Sequence, residues 1–277
     1  MTPFFSIIIP TLNEELFIPS LLNDLQNQKL KNFEIIIIDA KSKDKTKKVV
    51  KEYNKKLNLH FYQTSKKNVS NQKNYGAKKA KGKYLLFIDA DHRIGKFFIK
   101  KLFNVISKKK DLIFIPAIIP EEKSSQTNIA YQVINYLVDM SQNTNKPLSS
   151  GGCMIFERHF FYHIGGFDEN LFISEDHNII QRSRKYGVKA VFLSNIKRID
   201  SFRRINKEGK LKSLYKVSVG VLHTLFKGDI RKKIFDYEMG GHLYNHEDIK
   251  NKKTSFDDFD FIKFKKQIKK IILDTES

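Results

Sequence analysis

Residues 83–91, Lys83-Tyr-Leu-Leu-Phe-Ile-Asp-Ala-Asp91, end an apolar run on two carboxylates separated by one small residue. Two acids so spaced suit a hard divalent cation, and such a cation is commonly shared with phosphate oxygens. The same tripeptide is equally the polar end of an ordinary strand. What separates the two readings is which other acids are brought to it. Asp39 closes a second apolar run, Glu14 follows a third, and Glu175-Asp176 stand directly after Ser174.

Five consecutive apolar residues, Tyr84 to Ile88, read as a strand buried on both faces. Phe4 to Ile9 is predicted as an earlier strand, stopped by Pro10, and Glu34 to Ile38 as the next, ending in Asp39. Between them lies a helix with Pro19 at its first position and Leu21, Leu22 and Leu25 inward. A helix beginning near Asp44 turns Val49, Val50, Tyr53 and Leu57 inward. Leu59 to Tyr62 is a third strand, and Ser70 is the expected cap of a helix that Gly82 ends. Strands alternating with helices call for a parallel, doubly wound sheet. In such a sheet ligands bind in the crevice beyond the carboxyl ends of the strands, where these acids stand.

Past a change in composition near Asp111, Leu112 to Ile119 reads as a strand. Asn128 to Gln142 reads as a helix with Ile129, Val133, Tyr136, Leu137 and Met140 on one face. The loop Ser149-Ser-Gly-Gly152 precedes a strand from Cys153 to Phe156. Gly165 to Asp168 is a turn, Ser174 is the expected cap of a helix opening Glu175-Asp176-His177, and Val188 to Leu193 is a further strand. A basic segment, Lys197 to Lys212, leads to an apolar helix at about 214–226. A last amphipathic helix spans 261–273.

The 277 residues are 40% hydrophobic, with 23 Phe and 11 Tyr, which describes a folded chain with a substantial core. The formal charge of +21 comes from lysines spread along the whole sequence. Such a field favours polyanions or phosphorylated ligands, although a lysine-rich proteome gives the same balance. A single cysteine, Cys153, excludes an intramolecular disulfide and a cysteine metal cluster. No signal peptide or spanning segment is recognised, so a cytoplasmic protein is expected, peripheral at most on the inner face of the cell membrane. The basic and apolar faces of 261–273 would suit an anionic membrane surface, or equally a helix packed on the domain.

Several ordered motifs resemble the family 2 glycosyltransferases, inverting enzymes of the GT-A nucleotide-sugar fold. Ile7-Ile-Ile-Pro-Thr-Leu-Asn-Glu-Glu15 is similar to the family's first strand and loop, and Glu34 to Thr46 to its second strand and base-binding acid. Lys73-Asn-Tyr-Gly-Ala77, Ala80-Lys-Gly82 and Phe87-Ile-Asp-Ala-Asp91 follow the pattern leading to its metal aspartates. Gly165-Gly-Phe-Asp-Glu169 and Glu175-Asp176 resemble its acceptor half. The resemblance covers about residues 5–205 and implies a GT-A-type doubly wound, mostly parallel sheet flanked by helices, with a C-terminal helical extension. The expected division is a nucleotide-sugar half at 1–110, an acceptor half at 111–205 and a basic helical extension at 206–277.

Roles follow from the resemblance. Asp39 would accept the ring N–H of uracil or guanine, with Pro10, Thr11, Asn13 and Glu14 forming the other wall. Asp91 would hold Mg²⁺ or Mn²⁺ across the diphosphate, and Asp89 the ribose or a metal-bound water. Gly151 and Gly152 would let backbone approach the donor sugar. Lys73, where the family often has arginine, would reach phosphate without arginine's forked geometry. Arg203 and Arg204 would clamp phosphate, or stand as a solvated basic loop. Asp176 would be the general base, with Glu175 orienting the acceptor, although acids after a serine cap also follow from the helix dipole alone.

The chain departs from the pattern at Ala40-Lys41, which leaves the base open. No histidine lies at 194–200, where some members place a further metal ligand, and Asp200 is no more than a candidate substitute. His92 and His177 read as packing or hydrogen-bonding residues. The Gln-x-x-Arg-Trp motif of processive synthases is absent, and the chain has no tryptophan, so a single transfer is expected. The implied partners are a UDP- or GDP-sugar and a glycan or polyprenyl-linked hydroxyl. A polyprenyl monophosphate is the alternative acceptor. A non-catalytic nucleic-acid- or membrane-binding protein is the reading of another class. Dispersed lysines and strand-end acids oppose it, and no specific nucleic-acid partner is expected.

Overall fold

The computed structural model describes residues 2–122, 124–235 and 240–244. The predicted amphipathic helix 261–273 lies outside the described residues. Four apolar segments become the parallel part of one sheet: β1 (Phe5–Thr11), β2 (Phe33–Asp39), β3 (Leu59–Gln63) and β4 (Tyr84–Ile88). β5 (Arg93–Ile94), β6 (Ile113–Pro120), β7 (Cys153–Glu157) and β8 (Val191–Asp200) complete it. The spatial order is β3-β2-β1-β4-β7-β6-β8-β5. β7 runs antiparallel to both β4 and β6, and β5 antiparallel to β8, while the remaining pairs are parallel.

Pro10 does not stop the first strand. β1 continues to Thr11, paired with Asp39, because past Ile8 it has a ladder on one side only, where proline is tolerated.

Continuous apolar runs are required because both faces of the sheet are covered. Ile7, Ile9, Ile35, Ile37, Leu86 and Ile88 face α1 (Ile18–Gln26), α2 (Thr46–Lys51) and, in the other half, a helix at Phe98–Lys109. Ile8, Ile36, Ile38, Leu85 and Phe87 face the opposite layer, beginning with α3 (Val69–Lys79). Pro19 falls at the second position of α1 rather than the first. Asn68, not Ser70, caps α3 by accepting from the Asn71 N–H, and Ser70 is buried within the helix. α3 lies so close to the sheet that a Cβ on Gly76 would meet Ile8 Cγ2 at 2.4 Å.

The Phe98–Lys109 helix, α4, was not anticipated, and neither was the two-residue β5. α5 (Ser125–Ser141) opens on a Ser124/Thr127 capping box, a turn earlier than its apolar pattern suggested. The face bearing Ile129, Val133, Tyr136, Leu137 and Met140 is exposed, and Tyr131 and Val138 are the buried pair. The reason is polar: the Asn135 amide donates to the Ile118 carbonyl and accepts from its N–H at 2.8 and 2.9 Å. Tyr131 donates to Asp200 at 2.9 Å. Together these rotate residues 131, 135 and 138 onto the sheet.

α6 (Arg158–His163) and α7 (Glu175–Arg184) complete the second layer. α8 (Arg203–Glu208) and α9 (Lys210–Phe226) follow β8, and a single 3₁₀ turn spans Gly241–Tyr244. No helix among the described residues is long and apolar enough to cross a membrane. The antiparallel placement of β7 matters most for function. Its first residue, Cys153, pairs with Ile88, so the Gly151-Gly152 loop sits beside Asp89 at the end of β4.

Candidate active site

Two loops close the first edge of the crevice by exchanging hydrogen bonds. Asn13, in the left-handed region at φ 54°, accepts from the Lys43 N–H at 2.7 Å, and its own N–H donates to Ser42 Oγ at 2.7 Å. Glu15 accepts from Lys45, while Asp44 accepts from Glu15 and Thr46. Asp39 is fully buried beneath them. It accepts from the Thr11 hydroxyl at 3.1 Å, the Ser42 N–H at 3.0 Å, Gln63 at 3.1 Å and the Ser42 hydroxyl. Four donors fill the lone-pair sites of one carboxylate, so Asp39 organises both loops. Pro10 and Thr11 reach this edge as the last two residues of β1. The Gly241 N–H donates to the Leu12 carbonyl at 3.0 Å, seating the 3₁₀ turn on the loop.

Glu14 lies deeper, 5% exposed, beside Asp91. Burial pushes its carboxyl up to about 7 against the opposing pull of Arg203. The Arg203 guanidinium bridges the two acids, at 2.6 Å from Glu14 Oε2 and 2.8 Å from Asp91 Oδ2, and lies over the Phe17 ring. Arg204 is part-buried on the same short helix. The C-terminal part of the chain thus meets the strand-end acids.

Asp89 is half-buried at the mouth of β4, and desolvation raises its pKa although Lys73 and His92 oppose the rise. Asp89, Asp91 and His92 each offer a ligand atom, all within 4.8 Å of one another. Asp89 Oδ1 and His92 Nδ1 are buried without a hydrogen-bond partner. Unpaired buried polar atoms are costly, and here two lie in one cluster of hard donors. The donor set therefore fits a divalent cation.

Glu175 and Asp176 arrive on the first turn of α7. Ser174 takes the cap position at φ 68° without a side-chain cap bond, so the expected serine cap is absent. In its place Asp176 turns inward. Its Oδ2 accepts from the Gly152 N–H at 2.9 Å, and its Oδ1 accepts from Lys73 at 3.1 Å. Lys73 also donates to Glu175 Oε1 at 2.9 Å and lies 5.0 Å from the centroid of the Phe167 ring. At 2% exposure its ammonium is engaged by these two carboxylates, not held out towards a phosphate. Burial would raise the Asp176 pKa, but Lys73 and the Gly152 N–H hold it below the ordinary value. For Glu175 burial prevails and its pKa rises. His177, buried and with its pKa lowered by that burial, accepts at Nδ1 from the Ser149 N–H at 3.0 Å.

Gly152 joins the two groups of acids. Its carbonyl accepts from the Asp89 N–H at 2.9 Å while its own N–H donates to Asp176. At φ 59°, a Cβ there would meet His92 Cε1 at 2.1 Å and Asp89 Oδ2 at 3.0 Å. Gly151 is likewise left-handed, at φ 69°. Behind this loop Arg198, 1% exposed, donates to the Ser150 and Gly151 carbonyls and to Asp200. Sequence reading placed Arg198 in a basic segment, Lys197 to Lys212, with no role of its own. The available signal was the strand alternation Ile196, Arg198, Asp200, which shares one face of β8. Asp200 contacts His92, Arg198 and Tyr131 rather than joining Asp89 and Asp91.

Residues 6–165 match the model of the family described as Glycosyl transferase family 2. The "Minor teichoic acid biosynthesis protein GgaB" of Bacillus subtilis is 28% identical over 196 residues, covering 66% of this chain. The chain spans 22% of that relative's length. Among solved structures, Staphylococcus aureus TarS 1-349 with UDP superposes with a TM-score of 0.57 at 22% identity, covering 79% of this chain and 65% of that one. The mannosyltransferase PcManGT of Pyrobaculum calidifontis, in complex with GDP-Man and Mn²⁺, gives a TM-score of 0.66 at 16% identity, covering 88% and 68%. The sheet is therefore a GT-A-type sheet, and with the family match running over more than half of its length the chain belongs to glycosyl transferase family 2.

Proposed function

We propose that this chain is a metal-dependent inverting glycosyltransferase that moves one sugar from a nucleotide-diphosphate donor to a hydroxyl of a glycan or lipid-linked acceptor. The observation that carries this is the Gly152 peptide, which brings the acceptor-side acid Asp176 within one residue of the strand-end acid Asp89. An inverting displacement requires a base on one side of the reacting carbon and charge neutralisation on the other. The relative named for teichoic acid biosynthesis and the neighbours solved with UDP and with GDP-Man and Mn²⁺ support the donor class and a glycan product.

In this reading the base binds between Asp39 and the loop from Pro10 to Glu14. Ser42 and Gln63 are side chains that can turn away from Asp39 to admit a ring N–H. Asp89 and Asp91 hold Mg²⁺ or Mn²⁺, which when bound offsets the charge of the departing diphosphate. Arg203 neutralises Asp91 and Glu14 and, with Arg204, would turn to the phosphates once Asp91 were engaged by a cation. Gly151 and Gly152 leave room for the sugar. Asp176 takes the proton from the attacking hydroxyl, and Glu175, held by the same lysine, orients the acceptor. Lys73 keeps Asp176 ionised and correctly aimed before the substrate arrives.

Calorimetric titration of uridine and guanosine diphosphates with and without Mn²⁺, followed by a donor-hydrolysis screen over nucleotide sugars, tests this. Nucleotide binding that strengthens with Mn²⁺ is expected. Binding indifferent to the metal, or none at all, would overturn the proposal.

A further inference from the structure

The buried group His92–Arg198–Asp200 lies behind the strand-end acids, and the mechanism above does not use it. His92 is 5% exposed, and its two ring nitrogens have unlike surroundings. Nε2 is taken, lying 3.1 Å from Asp200 Oδ1 and 2.8 Å from Arg198 Nη1. Nδ1 is buried with no hydrogen-bond partner, as is Asp89 Oδ1. The residue offers one ligand atom to the group that includes Asp89 and Asp91, all within 4.8 Å. With Nε2 engaged, the nitrogen left for a cation is Nδ1.

Two tautomers are chemically open to this ring. If Arg198 donates to Nε2, the proton sits on Nδ1, which is then a buried donor without a partner. If Nε2–H donates to Asp200, the donor-only Arg198 keeps its Nη1 bond to the same carboxylate and merely touches Nε2, Nδ1 presents a bare lone pair, and one cation satisfies both orphaned atoms. An imidazole oriented by a carboxylate on its far nitrogen is the usual arrangement at a metal ligand. The ring cannot swing away, because the Gly152 backbone packs on it so closely that a Cβ would lie 2.1 Å from Cε1. Arg198 fixes that loop from behind through the Ser150 and Gly151 carbonyls.

We infer that His92 is a direct nitrogen ligand of the cation, bound through Nδ1 beside Asp89 and Asp91, and that Asp200 is the positioning residue that presents it. This rests on the metal-dependent reading above and gives that site a selectivity. Mg²⁺ prefers all-oxygen octahedral surroundings, whereas imidazole suits first-row transition ions, so the site should prefer Mn²⁺ to Mg²⁺.

The test is pulsed electron paramagnetic resonance of the full chain loaded with Mn²⁺, alone and with UDP or GDP. Nuclear modulation from a directly bound ¹⁴N is expected, changing to the ¹⁵N pattern when the protein is made with ¹⁵N-labelled histidine. His92→Gln should remove the modulation while some Mn²⁺ binding persists through the acids, and should narrow the Mn²⁺-over-Mg²⁺ preference. Asp200→Asn should keep the nitrogen signal but weaken Mn²⁺ binding by about 10–100-fold. The labelling needs no variant, so the absence of a histidine nitrogen coupling overturns the assignment even where His92→Gln does not fold. Bound Mn²⁺ with identical labelled and unlabelled spectra, or a nitrogen signal that survives His92→Gln, would overturn the ligand assignment and leave the metal-dependent enzyme standing. No Mn²⁺ binding with or without nucleotide would overturn both.

Discussion

Two pairs of carboxylates face the crevice, and each is bridged by a single cation from a distant part of the chain. Lys73 spans Glu175 and Asp176, and Arg203 spans Glu14 and Asp91. The anchoring of the two cations differs. Lys73 sits 2% exposed on an eleven-residue helix pressed against β1. Arg203 is 17% exposed in its side chain, on a six-residue helix that buries none of its residues. A lysine so enclosed keeps its charge only because both partners stay ionised around it. A guanidinium at a partly open edge can leave when a better counter-ion arrives. The first bridge is therefore part of the framework, and in the proposed reading the second holds a place for the cation.

The largest effect expected is from Asp176→Asn. Removing a general base costs about 10²–10⁴ in rate, so transfer to a hydroxyl should nearly vanish. Mn²⁺-dependent nucleotide binding should be unchanged, because it draws on the other pair. Transfer rates and nucleotide titrations on one preparation check both halves of the statement. A matching loss of nucleotide affinity would show that the two pairs act as one unit. Transfer that persists at near the unmodified rate would point to an acceptor that is already anionic, such as a polyprenyl phosphate.

Lys73→Met should come next, and it reads on stability. Removing one partner of a buried ion pair leaves an uncompensated charge at a cost of about 3–5 kcal/mol. Here two carboxylates, Glu175 and Asp176, would be left facing each other, so the denaturant midpoint should fall clearly. A midpoint close to that of the unmodified chain would mean that water already reaches this pair, and the contrast with Arg203 would collapse.

The strand ends at the crevice were legible in the sequence because their physics is local. Strands covered on both faces must be continuously apolar, so the runs before Pro10, Asp39 and Asp89 announced three strand ends and the two aspartates standing on them, although the first strand runs on to Thr11. What escaped depended on partners far away in the chain. Nothing around Lys73 shows that its ammonium ends against acids 102 and 103 residues later. α5 was read by its most apolar stripe, but one amide, Asn135, chose the other face by pairing with Ile118. Arg198 stood in a basic segment whose residues gave no sign of which one is buried. His92 read as a packing or hydrogen-bonding residue, as its contacts with Arg198 and Asp200 bear out, but the sequence could not tell its two nitrogens apart.

Arg203→Ala carries the smallest effect and discriminates most sharply. If Arg203 holds the cation's place, its guanidinium and the metal compete for the same Asp91 oxygen. Removing it should lower the denaturant midpoint less than Lys73→Met does, since the Arg203 side chain is 17% exposed where that of Lys73 is 2%. Mn²⁺ alone should then bind more tightly, because Asp91 and Glu14 are no longer neutralised. The gain should be at most about tenfold, the equivalent of ~1.4 kcal/mol. Nucleotide diphosphate should bind more weakly, because the displaced guanidinium no longer meets the phosphates. Opposite signs for the two ligands are the signature, read by titrating Mn²⁺ and the nucleotide separately. A side chain that merely braces the loop would weaken both together, and Arg203 would then belong with Lys73 as a fixed part of the framework.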